Sequence, residues 1–383
     1  MRFDNLKRNV IVSGELGSGK TLDVLFPMVS DMIDRKESLF ILDAKEEYLK
    51  HFYDRLSDYN VLILNLKDTD LSLSWNPLSY PYEVYKNDKD AAYDLIEDMC
   101  KNIYYDKSND DPFWNNMASS FISGLVASLF TFGKEDEINF NSINALLSHD
   151  GKLLKNFVMA KFSSNSYVST MTMPTISSPS ATRASILSVA REPFCLLVSR
   201  ERLSMLLSNS SFSYKDIVSK PTAIFFISKE DDVRVNSLIS IFIRQLYMFM
   251  SKDSLERRFN FVLDNFDVLE KLSGFSSMLS FGISKNIYFY VGTRNLKKLI
   301  NLYGSGICQL SDDIEVRKNS YYTVIDGVSC SFDKKNVKYE ISSCKVIYPK
   351  LKETAVSTFE IDRVLLSDEK FKEIVNKVLN EEK

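Results

Sequence analysis

The chain has 383 residues, 45% of them hydrophobic and 26% charged, and its net charge is −3. This length suits two globular domains. The negative net charge excludes nucleic-acid binding that depends on an overall basic composition. Five cysteines without C-x-x-C spacing and only two histidines argue against a disulfide framework, a zinc site and histidine catalysis.

A P-loop pattern follows the first apolar run, Val10–Val12. The glycines of such a loop let backbone N–H groups surround a phosphate, and the helix that follows adds unpaired donors. Lys20 would reach the β- and γ-phosphates, and the Thr21 hydroxyl would hold Mg²⁺. A glycine-rich turn is the alternative, which the four fixed positions disfavour. We therefore predict that ATP and Mg²⁺ are the cofactors. The pattern comprises Gly14, Glu15, Leu16, Gly17, Ser18, Gly19, Lys20 and Thr21.

Short apolar runs that are typical of buried strands alternate with helical stretches on both sides of a long helical region. Residues 83–210 have helical periodicity, interrupted by a Ser-, Thr- and Pro-containing stretch, 162–179, that indicates a loop. Strands that alternate with helices predict a parallel sheet covered on both faces. The predicted strands after Val10–Val12 are 39–42, 61–64, 223–227, 259–263 and 287–291.

The predicted fold class is α/β, a RecA-like P-loop NTPase domain with an inserted all-α domain. Residues 1–79 and 213–350 form the discontinuous nucleotide-binding domain, and 80–212 form the helical insertion. Residues 351–383 form a C-terminal extension with an amphipathic helix. The most apolar stretch, 121–132, is shorter than the about 20 residues that a membrane span needs. We expect a cytoplasmic protein without a signal peptide.

A second element of the nucleotide site is expected at the end of an apolar strand. Asp264 ends the run Phe261–Leu263, and an aspartate at this position of a P-loop protein binds Mg²⁺ through water. A simple strand-end cap is the alternative. We predict that Asp264 and Thr21 form the metal site.

Five short motifs accompany the P-loop in a fixed order. They are Asp43-Ala44-Lys45-Glu46-Glu47, Asn76-Pro77-Leu78, Asp111-Pro112-Phe113-Trp114, Leu263-Asp264-Asn265-Phe266 and Tyr303-Gly304. Each is weak alone, but their order and spacing resemble the coupling ATPases of type IV secretion and conjugation, the TraG/TraD-type coupling proteins. The resemblance covers residues 9–304. The residues alone predict that Asp43 caps a helix and that Phe113 and Trp114 are core residues.

The resemblance implies an ATP-binding coupling protein that links relaxase-bound single-stranded DNA to the type IV secretion channel and drives its translocation. It further implies a homo-oligomer, a hexameric ring. The family contacts the membrane through N-terminal helices that are absent from this sequence, and the alternatives are that the sequence begins after them or that the protein is natively soluble. A DNA-packaging or segregation translocase has the same motor fold, but the Asn76-Pro77-Leu78 and Pro112-Phe113-Trp114 elements disfavour it.

By this resemblance, the catalytic positions of the family correspond to Asp264, Asn265 and Arg294 of this chain. At the position of Asn265 the family has a glutamate, which polarises the attacking water. At the position of Arg294 it has a glutamine, which senses the γ-phosphate. An amide orients water but cannot accept its proton. The alternative function is therefore a hydrolysis-deficient relative that binds ATP and serves as a docking scaffold. Substitute bases are Asp267, Glu46 or Glu47, if the sheet brings one near the γ-phosphate.

Overall fold

The computed structural model describes residues 8–104, 111–149, 151–228, 233–269, 272–318, 320–325, 328–333 and 342–366. These residues form two compact units. One unit comprises the described residues of Met1–Leu73 and Phe212–Leu351, and the other those of Ser74–Ser211 and Lys352–Lys383. The sequence places the corresponding boundaries at 79–80, 212–213 and 350–351.

The first unit contains a nine-stranded sheet with the order β3-β4-β2-β5-β6-β1-β7-β8-β9. Neighbouring strands from β3 to β7 are parallel, whereas β8 and β9 continue the sheet as antiparallel strands. The strands are β1 (Asn9–Ser13), β2 (Ser38–Leu42), β3 (Asn60–Asn65), β4 (Thr222–Ile227), β5 (Phe259–Leu263), β6 (Ile287–Thr293), β7 (Ser311–Val316), β8 (Ser320–Ile325) and β9 (Val328–Asp333).

The helices belong to both units, and a π-helical turn, Lys20–Leu25, precedes the first of them. In chain order they are α1 (Phe26–Asp34), α2 (Glu47–Phe52), α3 (Ser79–Tyr85), α4 (Lys89–Ile103), α5 (Phe113–Phe132), α6 (Phe140–Ser148), α7 (Gly151–Lys161), α8 (Tyr167–Ile176), α9 (Ser180–Val198), α10 (Glu201–Leu206), α11 (Tyr214–Ser219), α12 (Val233–Met250), α13 (Phe275–Gly282), α14 (Leu296–Tyr303) and α15 (Ile361–Leu366). Short 3₁₀ turns connect several of them, at Tyr53–Leu56, Thr69–Leu71, Glu135–Glu137, Phe266–Val268, Ile283–Lys285 and Ser305–Gln309.

The parallel strands are buried because helices cover both faces of the sheet. On one face, Phe26 of α1 packs on Tyr48 of α2, with ring centroids 4.4 Å apart. On the other, Phe40 of β2 stacks on Phe242 of α12 at 5.7 Å. Strands that are buried on both sides are continuously apolar, which explains why the predicted strands are confirmed. The predicted α/β fold class is confirmed as well, since strands from before and after the helical insertion join in one sheet.

The second unit is helical in its described residues, and α5 lies at its centre. Gly124 of α5 permits a close approach to α8, because a Cβ at this position would lie 2.5 Å from Cγ2 of Thr172. No helix in the described part of the chain is long and apolar enough to span a bilayer. Phe113, at the start of α5, is 47% exposed and contacts Trp114 edge-on. It is therefore not a core residue, contrary to the interpretation from the residues alone.

The loop predicted for 162–179 is wrong, because α8 occupies most of it. The Ser166 hydroxyl accepts a hydrogen bond from the Ser169 backbone N–H and caps the helix. Pro174 lies inside the helix. Packing against α5 outweighs the weak helix propensity of the Ser, Thr and Pro residues.

Asn76, of the Asn-Pro-Leu element, has a structural role in the helical unit. Its buried amide donates to the backbone oxygens of Ile138 and Ser208, at 2.5 and 3.2 Å, and its oxygen accepts from the Leu78 N–H at 2.9 Å. The element thereby joins the beginning and the end of the helical segment.

The described residues after 351 pack in the helical unit. Phe359 and Ile361 are buried, and the guanidinium of Arg363 donates to the carboxylate of Glu137. The predicted amphipathic helix, Phe371 to Leu379, lies outside the described residues.

Candidate functional site

The candidate site lies at the carboxyl edge of four neighbouring parallel strands, β2, β5, β6 and β1. Ligands of open α/β sheets bind at this edge. Each of these strands ends in a residue singled out in the sequence. Asp43 follows β2, Asp264 follows β5, Arg294 follows β6, and the P-loop follows β1. The fold therefore brings together the site residues predicted from distant parts of the chain.

The P-loop, Gly14–Thr21, is held against the sheet at its beginning. The Gly14 N–H donates to the Thr293 oxygen at 3.2 Å, and a Cβ at Gly14 would lie 2.5 Å from the Val316 oxygen. Gly17 and Gly19 have φ angles of 76° and 94°, the left-handed region that glycine adopts without a steric penalty. The side chains of Glu15 and Leu16 are exposed, so these residues contribute backbone groups to the loop.

Lys20 is buried at the centre of the loop. Its ammonium donates to the backbone oxygens of Gly14 at 2.7 Å and Glu15 at 3.1 Å. An ammonium has three donors, so one remains for an anion. Burial lowers the pKa of Lys20, whereas the carboxylate of Asp264 acts in the opposite direction. The loop carbonyls thus fix the position of this cation.

Asp264 is buried and accepts hydrogen bonds from three groups. Its Oδ2 accepts from the Thr21 hydroxyl at 2.7 Å and from the Tyr48 hydroxyl at 3.1 Å. Its Oδ1 accepts from the Asn265 backbone N–H at 2.9 Å. Burial raises the pKa of Tyr48 well above its ordinary value, and Asp264 adds to this effect. Tyr48 therefore remains a hydrogen-bond donor to Asp264.

Gly292, on β6, leaves room for this carboxylate. A Cβ at Gly292 would lie 2.7 Å from Oδ1 of Asp264 and 3.1 Å from Cδ1 of Leu25. The first distance is too short for non-bonded atoms. A glycine here therefore allows the Asp264 side chain to stand beside β6.

We expect Gly292→Ala to reduce the free energy of unfolding by about 1–3 kcal/mol, the usual cost of overpacking. Urea denaturation measures this change. Gly306→Ala is the control, because no atom lies within 4 Å of a Cβ at that position. We expect the control to stay within about 0.5 kcal/mol of wild type. Equal stabilities of the two variants would contradict the packing argument.

Asn265 and Arg294 both line the pocket beside the P-loop. Asn265 has a φ of 55°, and its left-handed backbone turns the chain immediately after Asp264. Arg294 is exposed, and its backbone N–H donates to Oδ2 of Asp267 at 2.6 Å. Asp267 also accepts from the Thr293 hydroxyl at 2.9 Å. Asp267 therefore fixes the end of β6.

Asp43 caps α2, as the residues alone predict. Its two carboxylate oxygens accept from the backbone N–H groups of Glu47 and Leu49, at 2.9 and 2.8 Å. Burial raises the pKa of Asp43 to about 7, while these N–H groups oppose the shift. The cap positions α2, which carries Tyr48 toward Asp264 and Glu47 toward the pocket.

Two cavities share the P-loop as a wall. The P-loop pocket has a volume of about 250 Å³, and its lining includes Lys20, Thr21, Asp264 and Glu47. The hairpin groove, on the other side of the loop, has a volume of about 1070 Å³. Its walls are α14, β7 and β8, and they include Leu296, Ile300, Val316, Arg317 and Tyr322. Arg294 borders both cavities.

Two contributors to the site, Tyr48 and Gly292, were missed in the sequence, and the structural role of a third, Asp267, was not predicted. Tyr48 and Gly292 act through tertiary contacts with Asp264, and no local pattern marks either residue. The Asp267 bonds to Thr293 and Arg294 likewise join two strand ends. The position of Asp267 shortly after the strand-end Asp264 was the one available signal.

Solved structures of similar fold include the plasmid coupling protein TrwB in complex with the non-hydrolysable ATP analogue ADPNP. This chain is 16% identical to it, with 91% of this chain and 89% of TrwB covered and a TM-score of 0.65. The coupling protein TrwBdeltaN70 with sulphate gives 14% identity, coverages of 85% and 78%, and a TM-score of 0.61.

VirB4 of Thermoanaerobacter pseudethanolicus is 10% identical, with coverages of 87% and 91% and a TM-score of 0.53. At such identities the likeness concerns the fold. It confirms the predicted fold class, a RecA-like P-loop NTPase domain with an all-α domain. No curated protein matches the chain in sequence.

The family comparison extends over most of the chain. Residues 1–312 match the model of the type IV secretion-system coupling protein DNA-binding domain. This range includes the P-loop, Asp264, Arg294 and the whole helical insertion. The chain belongs to the type IV secretion-system coupling protein family.

Proposed function

We propose that this protein is an ATP-binding coupling protein of a conjugative type IV secretion system. In this role it links relaxase-bound single-stranded DNA to the transfer channel and drives its translocation. The observation that carries the proposal is the arrangement of Lys20, Thr21 and Asp264 at one strand edge of a family member.

The loop suits the phosphates of a nucleotide. Lys20 has a donor left for a phosphate oxygen, and the backbone N–H groups of the glycine-rich loop add to it. The turn that begins at Lys20 contributes the positive end of a helix dipole. The resemblance to TrwB, whose structures hold ADPNP or ADP and Mg²⁺, agrees with this assignment.

The residues also fit Mg²⁺. The Thr21 hydroxyl and the Asp264 carboxylate lie 2.7 Å apart and are oxygen donors, the type that Mg²⁺ prefers. An ion at this place would take few protein ligands and complete its shell with water and phosphate oxygens, as Mg²⁺ usually does in nucleotide sites. Bound there, Mg²⁺ would neutralise charge on the phosphates.

The rest of the nucleotide fits the hairpin groove. The P-loop pocket, at about 250 Å³, is smaller than the roughly 300–1,000 Å³ of typical small-molecule sites. The hairpin groove adds about 1070 Å³ on the other side of the loop. Its apolar walls and the Tyr322 ring, over which the Arg317 guanidinium lies at 5.3 Å, suit a ribose and a purine base. The terminal phosphate would then be held by Lys20 in the P-loop pocket, which Asp264 and Glu47 also line.

The alternative function is a docking scaffold that binds ATP without turnover. The amide of Asn265, next to Asp264, favours it, because an amide cannot accept the proton of the attacking water. The two functions share the nucleotide site and differ in turnover and DNA response. By family resemblance, the motor works as a homo-oligomeric ring at the inner face of the cell membrane.

A motor of this kind should bind single-stranded DNA without sequence preference and hydrolyse ATP faster when DNA is present. Contacts to the phosphate backbone make such binding sensitive to salt. Fluorescence anisotropy with oligonucleotides of different sequence, from 50 to 200 mM salt, measures the affinity, and a coupled ATPase assay with and without DNA measures turnover. We expect similar affinities across sequences, and weaker binding at higher salt.

The same experiment separates the two functions. The net charge of −3 predicts weak binding by a monomer, so a crosslinked oligomer is included. An oligomer that has no DNA affinity at low salt, and no response of turnover to DNA, would establish the scaffold and exclude the motor.

A further inference from the structure

We infer that Glu47 is the general base for ATP hydrolysis in this chain, taking the place for which Asn265 is unsuited. The inference rests on the proposed binding of ATP in the P-loop pocket. It assigns a catalytic residue to a site where the side chain following Asp264 cannot take a proton.

Hydrolysis requires a group that accepts a proton from the attacking water. The carboxylates that line the P-loop pocket are Asp43, Glu47 and Asp264. Histidine is absent from that lining. Lys20 is a protonated donor held by two loop carbonyls. One of the three carboxylates must therefore serve if the enzyme supplies a base from this pocket.

Two of the three carboxylates are already committed to other contacts. Asp264 accepts from Thr21, Tyr48 and Asn265, and its position beside Thr21 suits the metal. Asp43 is 2% exposed, and both of its oxygens accept backbone N–H groups at the beginning of α2. The oxygens of both carboxylates therefore already accept hydrogen bonds that position parts of the fold.

Glu47 differs from both. It is half-buried in the first turn of α2 and lines the pocket. Within the described residues its carboxylate makes no hydrogen bond or ion pair. Its backbone is fixed by the Asp43 cap at 2.9 Å, and the next residue, Tyr48, contacts Asp264. Glu47 therefore has an available carboxylate on a rigidly placed backbone.

The other two acidic residues considered in the sequence are unsuited. Glu46 accepts from the Tyr348 hydroxyl at 2.7 Å and pairs with Lys50 and Lys67 at 3.4 and 3.7 Å. Asp267 accepts from the Thr293 hydroxyl and the Arg294 N–H. Neither residue lines the P-loop pocket.

The step balances with water and ATP alone. The carboxylate of Glu47 takes a proton from water as the water oxygen bonds to the γ-phosphorus. The bond from that phosphorus to the β–γ bridging oxygen breaks, and its electron pair leaves with ADP. The proton then passes from Glu47 to the released inorganic phosphate, which regenerates the carboxylate.

The test compares Glu47→Gln with wild type in full-length protein. We expect kcat for ATP to fall by about 10²–10⁴-fold, the usual contribution of a general base. The Kd for ADPNP with Mg²⁺, measured by calorimetry, should change less than about threefold, because a glutamine preserves the shape of the side chain. Adding Asn265→Glu to Glu47→Gln should restore turnover.

Glu46→Gln is the charge-matched control. It removes the same negative charge from the neighbouring residue, whose carboxylate lies outside the P-loop pocket. We expect wild-type kcat for this control. The inference is wrong if Glu47→Gln retains wild-type kcat, or if wild type binds ADPNP yet shows no turnover. Failure of wild type to bind ADPNP would instead overturn the proposed function, and the inference with it.

Discussion

Lys20→Ala is expected to weaken ATP binding by roughly 10–100-fold, the equivalent of about 1.5–3 kcal/mol for a hydrogen bond to a charged group. Lys20 is buried, and loop carbonyls at 2.7 and 3.1 Å hold its ammonium at the centre of the P-loop. An alanine there removes the one fixed cation of the loop. Calorimetry with ATP and Mg²⁺ measures the effect.

Lys36→Ala is the matched control for this prediction. Lys36 precedes β2, at the opposite edge of the sheet, and is paired on the surface with Asp58. The control removes the same charge and should bind ATP like wild type. Equal affinity of Lys20→Ala and wild type would refute the P-loop as the phosphate site.

Asn265→Glu is expected to raise kcat by up to about 10²-fold, the lower part of the range for a general base. A larger gain is not expected in the wild-type background if Glu47 already accepts the proton. The affinity for ATP should change little, because phosphoryl transfer sites bind through the loop and the metal. Steady-state kinetics with ATP measures kcat, and calorimetry with ADPNP measures affinity.

Asn265→Ala serves as the control for this position. It removes the amide without adding a base, so turnover should not rise. In the Glu47→Gln background, an Asn265→Glu variant no faster than Asn265→Ala would show that position 265 does not face the γ-phosphate.

Six of the seven parallel strands, β1 to β6, could be predicted from the sequence, but β7 and the antiparallel strands β8 and β9 could not. β2 and β4 are buried on both faces and therefore appear as continuous apolar runs. β7 contains Asp312, Asp313 and Glu315, all three partly exposed, so its sequence pattern resembles that of a loop. α8 was missed for a related reason, since packing at Gly124 favours a helix where local propensity does not.

The chemistry of the site could be predicted where one short segment carries it. The P-loop and Asp264 were found because a motif and a strand end mark them, and the structure places them together. The Asp264 carboxylate is positioned by Tyr48 and Gly292. These two residues are distant from Asp264 in the sequence, and no motif marks them. The availability of Glu47 depends on which neighbouring carboxylates are already bonded, a fact that only the fold reveals.

The most direct test of the account is a crystal structure of this chain with ADPNP and Mg²⁺. We predict that phosphate oxygens lie within hydrogen-bonding distance of Lys20 and that the metal lies between Thr21 and Asp264. The purine base of the nucleotide should lie in the hairpin groove. The Glu47 carboxylate should contact a water molecule in line with the γ-phosphorus. A nucleotide bound away from Lys20, or a Glu47 side chain directed out of the P-loop pocket, would contradict it.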